Sequence, residues 1–441
     1  MSETPVFNPR ALVQPDRVHH SVYSDPAIFE LEMDRIFGRA WLLLGHESQI
    51  RETGSYFTTR MGRESVIVTR SASGRMQVLV NRCTHRGATL CQESKGSVNR
   101  FVCPYHGWSF NTDGSLQAVP VPQGYGSDPA KVFEKLSLKR APRVESYRGF
   151  IFASMATEGP PLKEWMGHLA SSFDDLVDRA PDGDIEIDGG VFKHVYDGNW
   201  KLVLENHLDG VHPNYVHISS VQAANAAPIP GTPEKYADIS LRQMRQNGAP
   251  EPVWEAVGMW TTDWGHGFMG DYHSDSRLVV GLNNPVFQEY RRRLEARTGP
   301  AEADRILAVT RWNSIVYPNV SFMSQFRQVR IVHPLAVDKT VVYTYNIRLK
   351  GAPEEMFKDT VAFSNVVNGT ASWVLTDDLE VYARVQQGLT ARQPEWVVIA
   401  RGVDADVPDE HGTLRGSTGT SEIFIRRQFG AWLHYMTQEG A

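Results

Sequence analysis

Asn199-Trp200-Lys201-Leu202-Val203-Leu204-Glu205-Asn206-His207-Leu208-Asp209-Gly210-Val211-His212-Pro213-Asn214-Tyr215-Val216-His217 is the stretch on which the reading of the chain turns. It opens as a helix. Asn199 is a good N-cap, and Trp200, Val203, Leu204 and Leu208 follow at helical spacing. On that helix Glu205, Asp209 and His212 lie close to one side, with Asp209 and His212 a turn apart. Pro213 disfavours helical geometry at His212, so the helix is expected to end or kink there. Positions five apart on an unbroken helix point roughly 140° away from each other. A bend lets His212 and His217 converge. Two imidazoles converging beside a buried carboxylate suit a divalent metal, with a third ligand from elsewhere in the chain. Two ordinary loop histidines would look the same, so the metal reading depends on what lies upstream.

Upstream, Cys83-Thr84-His85-Arg86-Gly87 is followed by Cys103-Pro104-Tyr105-His106-Gly107-Trp108, a C-x-H and a C-x-x-H separated by seventeen residues. Zinc is the first reading to weigh, but zinc sites usually pair like ligands along the chain. Here each loop supplies one thiolate and one imidazole. That arrangement suits a Rieske [2Fe–2S] centre, in which one iron takes both thiolates and the other both imidazoles. Gly87 and Gly107 allow loop backbone to approach such a cluster closely. Cys91 fits no ligand spacing and reads as a small buried residue.

The 441-residue chain is long enough for two domains or three, with the composition of an ordinary globular protein. A net charge of −6 and no long basic run argue against nucleic acid as a partner. No run of about 18 apolar residues offers a membrane span. Met1 to Asp16 has no charged-then-apolar leader pattern, so a cytoplasmic protein is expected. Three cysteines are too few for a disulfide framework.

Asp25 to Trp41 reads as an amphipathic helix with Ile28, Leu31, Ile36 and Phe37 on one face. Short β-branched or alternating runs then follow at Tyr56–Thr59, Ser65–Thr69 and Met76–Val80, with turns at Gly54-Ser55 and Ser71–Gly74. They predict a small antiparallel β domain around the two Cys/His loops, closing with a strand at Gly149–Ala153. Ala156–Pro161 is a linker by composition. Strands return at Ser314–Tyr317, Gln328–His333 and Thr340–Tyr345 after loops and a charged helix, Pro285–Thr298. No G-x-G-x-x-G follows a strand, so no nicotinamide or flavin site is expected on this chain.

Taken together, Cys83-x-His85, Cys103-x-x-His106 and Asp209-x-x-His212-x4-His217 resemble the large (alpha) subunit of Rieske non-haem iron oxygenases of the aromatic-ring-hydroxylating type. The resemblance runs from about Asp25 to the C-terminus. Tyr105 stands where respiratory Rieske proteins carry a disulfide cysteine, which favours the oxygenase branch. The resemblance implies an α+β protein: a helical segment over residues 1–40 packing on the catalytic domain, an antiparallel β Rieske domain over 41–158, and a helix-grip catalytic domain over 159–441. It implies a [2Fe–2S] cluster on Cys83, His85, Cys103 and His106. It also implies mononuclear Fe(II) on His212, His217 and a late Asp eight residues before a Gln, which is Asp378 before Gln386, with Asp377 as the alternative. Val381, Tyr382 and Val385 are expected on the core face of that helix. In the family the position of Asp209 links His212 to a Rieske histidine, here His106, of the neighbouring subunit. Asn206 is a further candidate near the iron, one residue closer to Asp209 than in many naphthalene-dioxygenase-like members.

The implied reaction uses O2, with electrons from a separate NAD(P)H-dependent flavin reductase, with or without a ferredoxin, to cis-dihydroxylate an aromatic substrate. Arg327 and Arg330, on a strand expected near the pocket, suggest an aromatic carboxylic acid; Arg330 is the candidate substrate residue. A trimer of alpha subunits, with a beta subunit as α3β3, is the implied assembly, and residues 220–310 are expected to form a lid. Two other readings stand beside this one: a Rieske monooxygenase or dealkylase acting on an amine or methyl ether, and an electron-transfer Rieske protein without oxygenase chemistry.

Overall fold

In a computed structural model of the protein, residues 7–126, 128–226, 238–271 and 285–438 are described. The chain divides into two compact units, residues 37–162 and residues 1–36 with 163–441. Ahead of helix α1 (Pro26–Arg35), residues 7–24 are only partly helical: Arg17–His19 pairs with both Val13–Gln14 and Trp396–Val398. Helix α1 starts where Asp25 caps the Ala27 amide at 2.7 Å. It ends at Arg35, short of the expected Trp41, and Ile36 and Phe37 are buried beyond it as a turn.

The smaller unit is antiparallel throughout its described sheets. Its strands are β1 (Leu42–His46), β2 (Ser55–Met61), β3 (Glu64–Arg70), β4 (Met76–Val80), β5 (Lys95–Ser97), β6 (Arg100–Val102), β7 (Ser109–Asn111), β8 (Leu116–Ala118), β9 (Arg143–Tyr147) and β10 (Phe150–Ser154). They form sheets ordered β4-β3-β2-β5, β8-β7-β6 and β9-β10-β1. Val66, Ile67 and Val68 of β3 are all fully buried, as a central strand covered on both faces requires. One Cys/His loop follows β4; the other is the turn between β6 and β7. Cys91 is only partly buried, and burial pushes its thiol up to about 11.

The larger unit is built on a nine-stranded antiparallel sheet. Its labelled elements are β11 (Ile185–Tyr196), α2 (Trp200–His207), α3 (Pro213–Val216), α4 (Ile218–Ala226), α5 (Asp238–Asn247), α6 (Glu251–Ala256), β12 (Met259–Thr261), β13 (Gly267–Asp271), α7 (Pro285–Thr298), β14 (Thr310–Val316), β15 (Val320–Met323), β16 (Gln328–Ala336), β17 (Lys339–Leu349), α8 (Glu354–Asn368), α9 (Leu375–Gly388), β18 (Val407–Pro408), β19 (Leu414–Arg415) and α10 (Ile423–Thr437). The sheet order is β11-β17-β16-β15-β14-β13-β12-β19-β18. Helix α2 packs on β14, β15 and β16, while α8 and α9 pack on β17 and β11. This is the α+β, helix-grip architecture expected for the catalytic domain. Among the described residues between 218 and 310 the chain is more regular than its Gly, Pro and Trp content suggests, with three helices before β12. Residues 227–237 and 272–284 of the expected lid lie outside the described residues. Among those described, no helix is long and apolar enough to cross a membrane.

Candidate active site

In the larger unit the site begins at the N-cap of α2. The Asn199 side chain accepts from the Lys201 amide at 3.2 Å, and its Nδ2 donates to the Tyr23 and Val337 carbonyls. The Asn199 amide donates to Gln386 Oε1 at 2.8 Å, which ties α9 to the start of α2. Helix α2 ends at His207, earlier than the expected break at His212. Leu208 leaves helical geometry (φ −116°, ψ 27°), and in the loop that follows Gly210 passes so close to Gly419 that a Cβ would fall 2.6 Å from its carbonyl. His212 is helical (φ −55°, ψ −33°), against the bias imposed by a following proline, and Pro213 opens α3 instead of ending a helix. At N1 a proline loses nothing, because that position has no intrahelical acceptor for an N–H.

The extra bend brings His212 and His217 to Asp378, in the first turn of α9. Their ligating atoms all lie within 4.8 Å of one another, with Asp378 Oδ1 3.9 Å from His212 Nε2 and 3.4 Å from His217 Nε2. The far side of each imidazole is occupied: His212 Nδ1 meets the Asp209 carbonyl at 3.0 Å and His217 Nδ1 meets Asp377 Oδ2 at 3.4 Å. An Nδ1–H donated to oxygen leaves the Nε2 lone pair facing the shared centre, as metal ligation needs. Asn206 Nδ2 donates to Asp378 Oδ1 at 3.4 Å. Burial pushes the Asp378 carboxyl up and the His212 imidazole down to about 4. Two imidazoles converging on a buried carboxylate are a donor set completed by a dication. The buried face of α9 is Asp378, Tyr382 and Gln386; Val385, expected inside, is 39 % exposed.

In the smaller unit the two Cys/His loops are conformational copies. Gly87 and Gly107 donate to the carbonyls of Cys83 and Cys103, both at 3.0 Å, with φ of +75° and +72°. Both thiols are buried, and burial together with the adjacent Cys103 thiol pushes Cys83 up. The His85 and His106 rings lie 4.6 Å apart, His85 stacks on Trp108, and the Nδ1 atoms of both histidines are buried without a hydrogen-bond partner. Two buried thiols opposite two orphaned ring nitrogens are what a Rieske [2Fe–2S] cluster takes up.

Residues 40–140 match the Rieske [2Fe-2S] domain, and residues 177–422, more than half of the chain, match the ring hydroxylating alpha subunit catalytic domain. The chain belongs to the ring-hydroxylating oxygenase alpha subunits. It is 35% identical to toluate 1,2-dioxygenase subunit alpha of Pseudomonas putida over 84% of this chain and 79% of that one. It is 32% identical to the 2-halobenzoate 1,2-dioxygenase large subunit of Burkholderia cepacia, over 91% and 83%. Naphthalene 1,2-dioxygenase with indole bound in its active site superposes with a TM-score of 0.82 at 28% identity, covering 98% of this chain and 95% of that one. The family places a Rieske cluster in the first domain and mononuclear iron in the second, with electrons supplied by an external reductase.

Beside the triad of this alpha subunit is a cavity of about 100 Å³. Arg330 lines it from β16, with Nη1 3.3 Å from Met323 Sδ, Nη2 3.4 Å from Gln328 Oε1, and Nε unpartnered. Arg327 does not reach this cavity. It precedes β16 in a left-handed turn (φ +54°), where its guanidinium bonds Thr360 Oγ1 and the Met356 carbonyl. His207, Asn313, Trp254 and Gln243 also line the cavity. They come from four separate segments of chain, and no spacing in the sequence groups them.

Proposed function

We propose that this alpha subunit cis-dihydroxylates an aromatic carboxylic acid. In this reading Cys83, His85, Cys103 and His106 hold the [2Fe–2S] cluster, and His212, His217 and Asp378 hold Fe(II). When bound, these groups supply electron delivery and activation of O2. Asp209 and Asp377 orient the two imidazoles through Nδ1, and Asn206 orients the Asp378 carboxylate. The observation that carries the substrate class is Arg330. Arg330 is half-buried in the cavity wall, its Nε is fully buried, and its guanidinium forms no ion pair among the described residues. With Asp378 committed to a cation, an incoming carboxylate is the natural counter-charge for it. Two relatives similar over most of the chain are named for aromatic acids, toluate and 2-halobenzoate.

Arg330→Gln tests this. For ring acids kcat/KM is expected to fall about 10²-fold, the cost of removing one partner of a buried charge pair, while neutral arenes change less than about threefold. Product analysis under labelled O2 should place both oxygen atoms on the ring of the acid. Equal losses for acids and neutral arenes would reject the role given to Arg330.

The assembly belongs to the same proposal: a trimer of alpha subunits, with a beta subunit as α3β3, served by a separate NAD(P)H reductase. Asp209 supports the inter-subunit link. Its Oδ1 accepts from the Val211 amide at 2.7 Å, its Oδ2 lies 3.8 Å from His212 Nδ1, and the side chain is 39 % exposed. A partly exposed carboxylate beside His212 supports a hydrogen bond accepted from the partner subunit's His106. Asp209→Asn is expected to keep both metal centres loaded and the cluster reducible, and to lower turnover at least about tenfold. Reoxidation of the reduced cluster in single turnover should slow in parallel. Turnover at the wild-type rate would remove the link.

A further inference from the structure

Besides Arg330 Nε, four polar atoms on residues lining the cavity have no partner among the described residues. His207 Nδ1, Asn313 Oδ1, Trp254 Nε1 and Gln243 Oε1 are each buried, each belongs to a residue lining the cavity, and none makes a hydrogen bond among the described residues. An orphaned buried polar atom costs about 1–3 kcal/mol, so native proteins hold few of them. Four around one cavity are groups reserved for something that enters it. The Asn313 amide is oriented by the fold: its Nδ2 donates to the His207 carbonyl at 2.7 Å, which leaves Oδ1 as a free acceptor. Trp254 Nε1 is a donor only, and Gln243 Oε1 an acceptor only. A plain hydrocarbon edge, a methyl group or a halogen would leave the two carbonyl oxygens dry and unmatched. An N–H or O–H satisfies them, and the lone pair of the same group can accept from the indole.

We propose that His207, Asn313, Trp254 and Gln243 form a polar subsite for an amino or hydroxyl substituent on the aromatic ring, so that the substrates are ring acids carrying such a group. The proposal rests on this cavity being the ring site, as in the function proposed above, but not on Arg330 as the carboxylate anchor. The substituent's hydrogen goes to Asn313 Oδ1 or Gln243 Oε1. The His207 imidazole completes the set as donor or acceptor, according to which nitrogen carries its proton.

The test uses the full-length, iron-loaded protein and titration calorimetry. Amino-, hydroxy- and methyl-substituted benzoates at each ring position form one series; aniline, phenol and toluene form a second that lacks the carboxylate. Methyl matches the two polar substituents in size, so the ratio isolates the hydrogen bonds. The expected result is that, for at least one ring position, the amino or hydroxy compound binds at least about tenfold more tightly than the methyl compound. The same order should hold in the neutral series. His207→Phe and, separately, Trp254→Phe should each bring the ratio below about three. Equal binding of the methyl and polar compounds by the wild type at every position overturns the subsite, as does a ratio that survives both variants. A retained ratio with no advantage of acids over neutral compounds would leave the subsite standing and reject Arg330 as the acid anchor. If no ring compound of either series bound, the cavity would not be the ring site and both readings would fall.

Discussion

Asp378→Ala is expected to strip mononuclear iron from the protein and take turnover to background, while the visible absorption of the [2Fe–2S] cluster is unchanged. Its Oδ1 is the one carboxylate oxygen within 4 Å of both His212 Nε2 and His217 Nε2 among the described residues. Without it a two-imidazole site remains, which holds Fe(II) weakly. The neighbouring Asp377 makes an internal control. Its Oδ2 faces His217 Nδ1, on the far side of the ring. Asp377→Asn should therefore keep iron and lower activity by about ten- to a hundredfold, the range for groups that orient a ligand. Metal analysis and the absorption spectrum of the purified variants decide between them. Iron retained in Asp378→Ala but lost in Asp377→Ala would mean that the ligand register is wrong by one residue.

A comparably large effect, on stability, is expected at Lys201. Lys201 and Glu32 are both fully buried, with Nζ 2.5 Å from Glu32 Oε1. Burial drives the ammonium pKa down, and Glu32 pulls it back up. Asn199 Oδ1 accepts from the same Nζ at 3.0 Å, while the indoles of Trp200 and Trp432 donate to Glu32 at 2.9 and 2.7 Å. One carboxylate thus joins α1, α2 and α10. Lys201→Met would leave it charged and buried without a cation, at a cost of about 3–5 kcal/mol. For a unit of this size that corresponds to a fall in thermal midpoint of roughly 5–8 °C. Adding Glu32→Gln should recover most of the loss, because the amide oxygen still accepts from an indole and no charge remains. A Lys201→Met midpoint within 2 °C or so of wild type would show that the pair contributes little.

Much of the protein is legible in its residues. The alternating or β-branched runs of β2, β3 and β4, with turn residues between them, announce a small antiparallel domain, because such side chains suit a pleated sheet. The Cys83-x-His85 and Cys103-x-x-His106 loops are local, so their chemistry is written in short spacings, and with Asp209-x-x-His212-x4-His217 they carry the family. The charged helix Pro285–Thr298 and strands β14, β16 and β17 stand where their patterns place them. Errors arose where a neighbour distant in sequence overrides local preference. Val385 falls at helical spacing from Asp378 yet faces outward, because Tyr382 and Gln386 take the buried face. Arg327 is three residues from Arg330 but turns away, held by Thr360.

The sequence by itself determined the small antiparallel β domain and the two Cys/His loops, since these rest on short-range periodicity and local spacings, and its motifs carried the resemblance that implied the α+β architecture, the oxygenase family and the metal chemistry. Only the tertiary structure decided what surrounds the metal. His217 with Asp377, Asn199 with Gln386, Lys201 with Glu32, and the ring of unpartnered polar atoms from His207, Gln243, Trp254 and Asn313 join residues far apart in the chain. Such contacts leave no period or motif along the sequence. They exist because elements far apart in the chain pack on one another: α2 lies on β14, β15 and β16, and β13 to β16 line the cavity together with helices from either side of the sheet in sequence.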